Sequence, residues 1–384
     1  MGNLAENNIV HADLEPATNI PNDNHYYLNM GPQHPSTHGV LRVLLEMDGE
    51  YIVKAQPVLG YGHRMQEKMG EHKNWMAFMP NTGRMDYAAA LQYNHGYVGL
   101  YERLCQIEVP TRAEYIRVIT SELNRIVSHH LWIGAMLLDM GAFTPILYTF
   151  DDREQVLDIL EDVTGSRLTY CYFRVGGVCK DIDDKFVEKT RAFIKRQRER
   201  FDIYNKLVTG NIIFIKRTEG VGIISPDMAR RYGVTGPVLR GSGIAYDVRK
   251  NEPYSVYPNF DFDVPIGANG DSYDRYLVRL EEIEQSLRII EQALDQLPDG
   301  PFLAKIPKKL KMPAGDCSYA VEAARGELTY YMVSGGGDVP YRLKIRVPSY
   351  SNLSVLQELC QGMLLSDLVA AMGSMDLVIP EIDR

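Results

Sequence analysis

Residues Thr111–Gly141 read TRAEYIRVITSELNRIVSHHLWIGAMLLDMG. Apolar side chains at Ile116, Ile119, Leu123, Ile126, Leu131, Met136 and Leu138 fall on several faces of one helix. A helix apolar on that many sides is buried by its neighbours. Thr111 with Glu114 makes a capping box at its start, and Gly141 stops it after Asp139 or Met140. The rest of the chain supplies the helices to bury it. One runs from Asp86 to about Cys105, with a break at Pro110; another covers Asp151–Thr164 and ends at Gly165. Asp183–Val208 is a third, with Phe186, Phe193, Ile194 and Phe201 on its packed side and the Arg191–Arg200 charge run on a solvated face. In Ser272–Leu297, Tyr276, Leu280, Ile283, Leu287, Ile290 and Leu294 recur at three and four.

Strand signals flank this core. His25–Met30, Val40–Met47 and Glu50–Val58 read as strands, with Asp48-Gly49 as a hairpin turn. Leu59–Asn81 reads as a connector. Asn211–Gly270 is rich in Gly and Pro, with short strands and turns expected. Its Arg240-Gly241-Ser242-Gly243 lacks the Gly-x-x-x-x-Gly-Lys pattern of a phosphate loop. Phe302–Gly315 is basic and reads as a surface linker. Ser318–Ala323, Leu328–Val333 and Tyr341–Val347 alternate as an antiparallel sheet, turning at Gly335–Gly337, and short helices follow. The fold class is α+β: a central bundle of long helices with small antiparallel β subdomains near both termini. The expected divisions are a mobile tail (1–24), an N-terminal β subdomain and connector (25–82), a helical core (83–300) with an irregular insertion (211–270), a linker (301–317), and a C-terminal β subdomain with short helices (318–384).

Composition excludes several functions. The net charge of −9 over 384 residues argues against a nucleic-acid binder. Five cysteines with no CxxC pair signal neither a disulfide framework nor a zinc site. Met1–Asn24 is polar and acidic, without a signal-peptide core. The longest apolar stretch, Leu131–Phe143, is interrupted by Asp139 and too short to span a bilayer, so membrane attachment is expected to come through partners.

Chemistry is expected at Met30–Gly39, Met-Gly-Pro-Gln-His-Pro-Ser-Thr-His-Gly. Pro32 and Pro35 stiffen this loop, and it carries His34, Ser36, Thr37 and His38. Polar loop residues often satisfy only their own backbone, and that reading stands beside the functional one. Met30–Arg42 resembles the N-terminal signature of the quinone-reducing D subunits of bacterial respiratory complex I, the NADH:quinone oxidoreductase. That family is a redox-inactive relative of the nickel-iron hydrogenase large subunit. The resemblance runs from about Tyr26 to Arg384. Hydrogenases hold nickel and iron on two pairs of cysteines, one near each end of the chain. Cys105, Cys171, Cys179, Cys317 and Cys360 match neither pair, and Thr82–Tyr87 and Ser374–Arg384 contain no cysteine. The resemblance therefore implies no metal on this chain.

It implies instead that His38 and Tyr87 bind a quinone head group. Both can donate hydrogen bonds and protons to a carbonyl oxygen. Asp139 is implied as the partner of His38; a carboxylate at a helix C-terminus faces the negative end of the dipole, and an imidazolium would offset that. His34, Thr37, Met85 and Asp86 are expected in the quinone pocket. Arg64, Glu67, Arg84 and Thr169 are expected near a [4Fe–4S] cluster held by a partner, the B subunit of the complex. Met65 stands where the family normally has glycine, and Thr169 where many relatives carry a histidine. The implied partners are the B, C, H and I subunits and a membrane quinone, ubiquinone or menaquinone, at the cytoplasmic side of the inner membrane. The alternative is a non-catalytic scaffold in a related ferredoxin- or formate-linked membrane complex.

Overall fold

A computed structural model describes residues 25–34, 39–307 and 310–384. Its first strands are His25–Met30 (β1), Arg42–Asp48 (β2) and Tyr51–Val58 (β3), an antiparallel sheet in that order. Asp48 pairs with Tyr51 across the Asp-Gly turn. Val43, Leu45 and Met47 alternate into the interior, as a sheet with one buried face requires. The expected connector is partly helical: Gln66–His72 (α1) and Trp75–Thr82 (α2). Asn74 caps α2 by accepting from the Ala77 N–H at 2.8 Å.

The helical core begins with Ala90–Cys105 (α3), a turn later than its pattern predicts. The Asp86 carboxylate accepts from the N–H groups of Ala88 and Ala89 at 3.1 and 3.2 Å, and holds the preceding residues in a turn. Thr111–Asp139 (α4) is buried on several faces, as expected. Its capping box does not form. Pro110 occupies the cap position, and Glu114 pairs with Arg117 at 3.1 Å. Phe143–Thr164 (α5) starts well before Asp151, with Pro145 in its first turn, where no intrahelical N–H is needed. A short ribbon, Phe173–Arg174 (β4) with Gly177–Val178 (β5), was not signalled by any alternation.

Asp183 caps Asp184–Tyr204 (α6), whose C-terminus widens into one π-helical turn over Asn205–Thr209. The Arg191–Arg200 run is half-exposed but paired: Arg198 reaches Glu291 and Arg200 reaches Asp152, both at 3.0 Å. The insertion forms short helices where strands were expected: Ile212–Thr218 (α7), Pro226–Arg231 (α8), Gly236–Gly241 (α9) and Val248–Asn251 (α10). Proline in the first turn of α8 and α9, with Asn211, Ser225 and Asp247 as side-chain caps of α7, α8 and α10, explains the outcome. Ser272–Asp295 (α11) lies along α4. The strands Ala314–Ala323 (β6), Gly326–Gly335 (β7) and Arg342–Arg346 (β8) form the second sheet, and β6 starts inside the expected linker. Pro348–Ser354 (α12), Leu356–Leu359 (α13), Leu365–Met375 (α14) and Ile379–Asp383 (α15) close the chain.

Among the described residues, two apolar cores result. The larger joins the long helices to the second sheet. The other joins Val43 and Leu45 of the first sheet to Val238 of α9 and to Leu368, Met375 and Ile379 near the C-terminus. The first and last parts of the chain thus share one interior. The β6–β7 turn enters between them by a close backbone approach. Gly236 has φ +67°, and a Cβ there would lie 2.3 Å from the Arg325 carbonyl oxygen. Gly236→Ala should therefore cost more than the roughly 1 kcal/mol of an ordinary left-handed alanine. Calorimetry should show a clear fall in melting temperature, whereas Gly49→Ala, with open space around it, should cost only the backbone term.

Candidate functional site

Four parts of the chain meet at one place: the turn 82–87, the middle and end of α4, the β6–β7 turn and the segment following α14. Arg325, from the β6–β7 turn, ties them together. Its Nη1 donates to Asp86 Oδ2 at 2.6 Å and to Ser128 Oγ at 3.2 Å. Its Nη2 donates to Asp376 Oδ1 at 2.9 Å, and its Nε to the Asp376 carbonyl at 3.0 Å. All three charged residues are buried. Burial pushes the Asp86 carboxyl up, Arg325 pulls it back, and Asp376 pushes it up again. A second buried guanidinium, Arg279, stands near Asp376, and a further buried carboxyl, Glu381, near Asp86.

Tyr87 sits on this cluster and is 38% exposed. It forms one side of a cleft of about 180 Å³ with Leu131, Trp132, Ala135, Leu377 and Val378, and Arg325 and Asp376 contribute to its lining. Trp132 is fixed by donating from Nε1 to the Gly373 carbonyl at 2.7 Å. Burial raises the pKa of the Tyr87 phenol, opposed by Arg325, so it is a proton-bearing donor at neutral pH. Asp139, half-buried at the end of α4, lies near Gly373, which lines the cleft: its Oδ2 is 3.8 Å from the position a Cβ on Gly373 would take.

His38 and Thr37 lie outside the described residues, so the pairing of His38 with Asp139 is not described. The ends of their loop are placed. His34 bridges to Gly39, and a Cβ on Gly39 would be 3.2 Å from Ile379, next to Val378 of the cleft. His34 itself lines a different, apolar hollow of about 440 Å³ with Leu28, Met30 and Leu365. A larger hollow, about 820 Å³ and edged by Glu102, Glu108 and Glu252, is lined by none of the expected site residues among the described ones.

The turn brings further residues together. Met85 is fully buried and Arg84 exposed. A Cβ on Gly83 would lie 3.1 Å from the Tyr170 carbonyl, so Arg84 and Thr169 belong to abutting segments. Thr169 has φ +49°, a left-handed angle that a β-branched residue tolerates poorly and histidine more readily. Met65 likewise has φ +52°, the region a glycine would take without strain. Arg64 is exposed beside it, in a loop clamped by Asp383, whose carboxylate accepts from the N–H groups of Gly60 and Gly62 at 2.9 and 2.6 Å. Glu67 faces inward to β8. It accepts from the Ile345 N–H at 2.9 Å and pairs with Lys344 at 3.1 Å. Burial alone would raise its pKa, but the Ile345 N–H, Lys344 and Arg384 together lower it. Among the described residues, no three His, Cys, Asp or Glu side chains gather as a metal site.

Sequence reasoning missed Arg325, Asp376 and Trp132. An arginine beside glycine in a tight turn reads as solvated, and only the pairing of Arg325 with Asp86 and Asp376 shows otherwise. Removing this arginine strands two buried carboxylates. Arg325→Met should destabilise the fold by about 3–5 kcal/mol. Arg325→Lys, which keeps the charge but cannot bond both carboxylates through a planar fork, should cost less. Thermal melting of the two variants against the parent checks the order.

Comparison with known proteins agrees with this architecture. The sequence model described as "Respiratory-chain NADH dehydrogenase, 49 Kd subunit" matches residues 139–310 and 304–384. A protein of Syntrophobacter fumaroxidans, named as the D subunit of an NADH-quinone oxidoreductase, is 61% identical over 360 residues, covering 94% of this chain and 96% of its own. Its namesake in Desulfotalea psychrophila is 59% identical over 363 residues, covering 94% and 98%. That of Carboxydothermus hydrogenoformans is 49% identical over 356 residues, covering 93% and 98%. With matches of this extent on both sides of the alignment, the chain belongs to the family of the 49 kDa subunit of the respiratory-chain NADH dehydrogenase.

Proposed function

We propose that this chain is the quinone-binding subunit of a proton-pumping NADH:quinone oxidoreductase, and that it forms with the B subunit the site where a membrane quinone is reduced. The observation that carries this reading is the Tyr87 cleft: one phenol over a buried Arg325–Asp86–Asp376 cluster, with apolar walls. A quinone head group is a flat ring with two carbonyl oxygens. Leu131, Leu377 and Val378 can pack against the ring, and the Tyr87 O–H can donate to one oxygen. Reduction to the quinol adds two electrons and two protons, one proton to each oxygen. A [4Fe–4S] cluster on the B subunit supplies the electrons. Tyr87 donates one proton in this reading, and His38, paired with Asp139, donates the other. The buried charge of Arg325 keeps Asp86 and Asp376 in place while the charge in the cleft changes.

The surroundings suit a lipid-borne substrate delivered at an interface. Leu138, next to Asp139 in the chain, is exposed, as are Phe143 and Leu147 in the first turns of α5, each 71% exposed. They offer an apolar surface to the quinone tail or to a partner protein. Among the described residues, no helix is long and apolar enough to cross a membrane. In this reading the chain sits on the cytoplasmic face of the inner membrane, held by the B, C, H and I subunits. Arg84 and Thr169, on abutting segments, face the iron-sulfur cluster of the B subunit.

The test is Tyr87→Phe in the assembled complex. It keeps the ring and removes the donor. NADH oxidation by an artificial upstream acceptor should persist while quinone reductase activity falls by about 10²-fold or more, the scale of one general acid. Equal loss of both activities, with loss of assembly, would instead favour a scaffold.

A further inference from the structure

The Tyr87 cleft is short of hydrogen-bond donors. Leu131, Ala135, Leu377 and Val378 bring none from their side chains. The indole N–H of Trp132 is taken by the Gly373 carbonyl at 2.7 Å. A guanidinium has five N–H groups, and four of those on Arg325 are committed: two on Nη1 to Asp86 and Ser128, one on Nη2 to Asp376 Oδ1, and the one on Nε to the Asp376 carbonyl. Among the described side chains of the cleft, the Tyr87 hydroxyl and one Arg325 N–H remain.

Trp132 is the largest apolar side chain in the lining, and it is held twice. Besides the Gly373 bond, the Arg279 guanidinium of α11 lies 4.1 Å over the indole ring. Arg279 is itself buried and fixed. It donates to the carbonyl oxygens of Arg275, Ser374 and Met375 at 3.1, 3.0 and 3.3 Å. A guanidinium over an indole attracts it, and more strongly where water is excluded. The indole is therefore preorganised, so a ligand that packs on it loses little to the ordering of this side chain.

Quinone head groups fall into two chemical classes that such a lining separates. A ubiquinone-type ring carries two methoxy groups, whose ether oxygens are acceptors. A menaquinone-type head group carries a fused hydrocarbon ring at the same positions. Both present two carbonyl oxygens, which take the donors of Tyr87 and His38 in the proposed function. Two methoxy oxygens would then share a single Arg325 N–H, and an acceptor desolvated without a donor is costly. A hydrocarbon ring needs no donor and gains from contact with Trp132 and the aliphatic walls.

We propose that the cleft selects a fused-ring naphthoquinone over a dimethoxybenzoquinone, and that Trp132, held by Arg279 and Gly373, is the side chain that determines this choice. Such selection presupposes that quinone binds in the Tyr87 cleft, and it names the head group. It is a matter of binding: no proton or electron moves in it.

The test measures dissociation constants in the oxidised, resting complex for a naphthoquinone and a dimethoxybenzoquinone that bear the same short isoprenyl tail. Without turnover, the different reduction potentials of the two do not enter. The parent complex should bind the naphthoquinone more tightly by about tenfold or more. Trp132→Leu should weaken the naphthoquinone by about tenfold and change the benzoquinone less, so that the preference shrinks. Trp132→Phe, which keeps one aromatic ring, should fall between. A parent that binds the benzoquinone as tightly overturns the proposal, and so does a preference that survives unchanged in Trp132→Leu. If Trp132→Leu does not assemble, the parent and Trp132→Phe decide by the same two criteria. The two readings fail differently. If the cleft takes no quinone, neither dissociation constant responds to Tyr87→Phe or to the Trp132 variants, and both readings fall. If Tyr87→Phe weakens both ligands and the parent shows no preference, quinone binding stands and the selection by Trp132 falls.

Discussion

One buried arginine holds the site together. Arg325 reaches Asp86, 239 residues earlier, and Asp376, 51 residues later. Neither contact is local, so each forms only when the helical core, the second sheet and the C-terminal helices have assembled. Desolvating these charges is costly, and the pairing alone does not stabilise the fold over an apolar substitute. What it supplies is position. The turn bearing Tyr87, the middle of α4 through Ser128, and the backbone at Asp376 are fixed against one planar group. A cleft built this way can change its charge content without its walls moving apart.

The same logic repeats deeper in the molecule. α4 is the axis: toward the cleft it presents Leu131, Trp132 and Ala135, and toward the interior Glu122, Arg125 and His129. Helices that carry so much buried charge need satisfied partners. The surrounding elements supply them: the Tyr257 and Ser286 hydroxyls bond Glu122, and the Val248 N–H bonds Glu322. Arg240, in the segment whose glycines suggest a phosphate loop, is fully buried and committed to Glu282 and Glu322. Its guanidinium balances charge inside the fold.

The long helices were legible because apolar periodicity survives even where a helix is buried on several faces. The hairpin at Asp48-Gly49 was legible from turn chemistry. Features set by distant partners were not. The start of α3 is displaced by Asp86, whose side chain caps the turn and also answers to Arg325. The Thr111–Glu114 box gives way because Arg117 competes for Glu114. The insertion around α7 to α10 was misread because Gly and Pro signal turns, while side-chain caps and first-turn prolines also start very short helices. At the site, Tyr87 and Asp139 were reached through resemblance, and the structure sets them near the same cleft. Glu67 was placed by resemblance beside a cluster; its carboxylate turns inward to Lys344 and the Ile345 N–H. Arg325 and Asp376 left no signal, since a charged residue in a turn and an aspartate after a helix both read as solvated.

In the proposed function, quinone binds in the Tyr87 cleft. An electron cryomicroscopy map of the native complex with a short-tailed quinone bound tests it most directly. Head-group density is expected in the cleft, with one carbonyl oxygen about 2.7–3 Å from the Tyr87 hydroxyl and the Arg325 bonds to Asp86 and Asp376 intact. Density seated elsewhere, with the cleft closed by a partner's side chains, would contradict it.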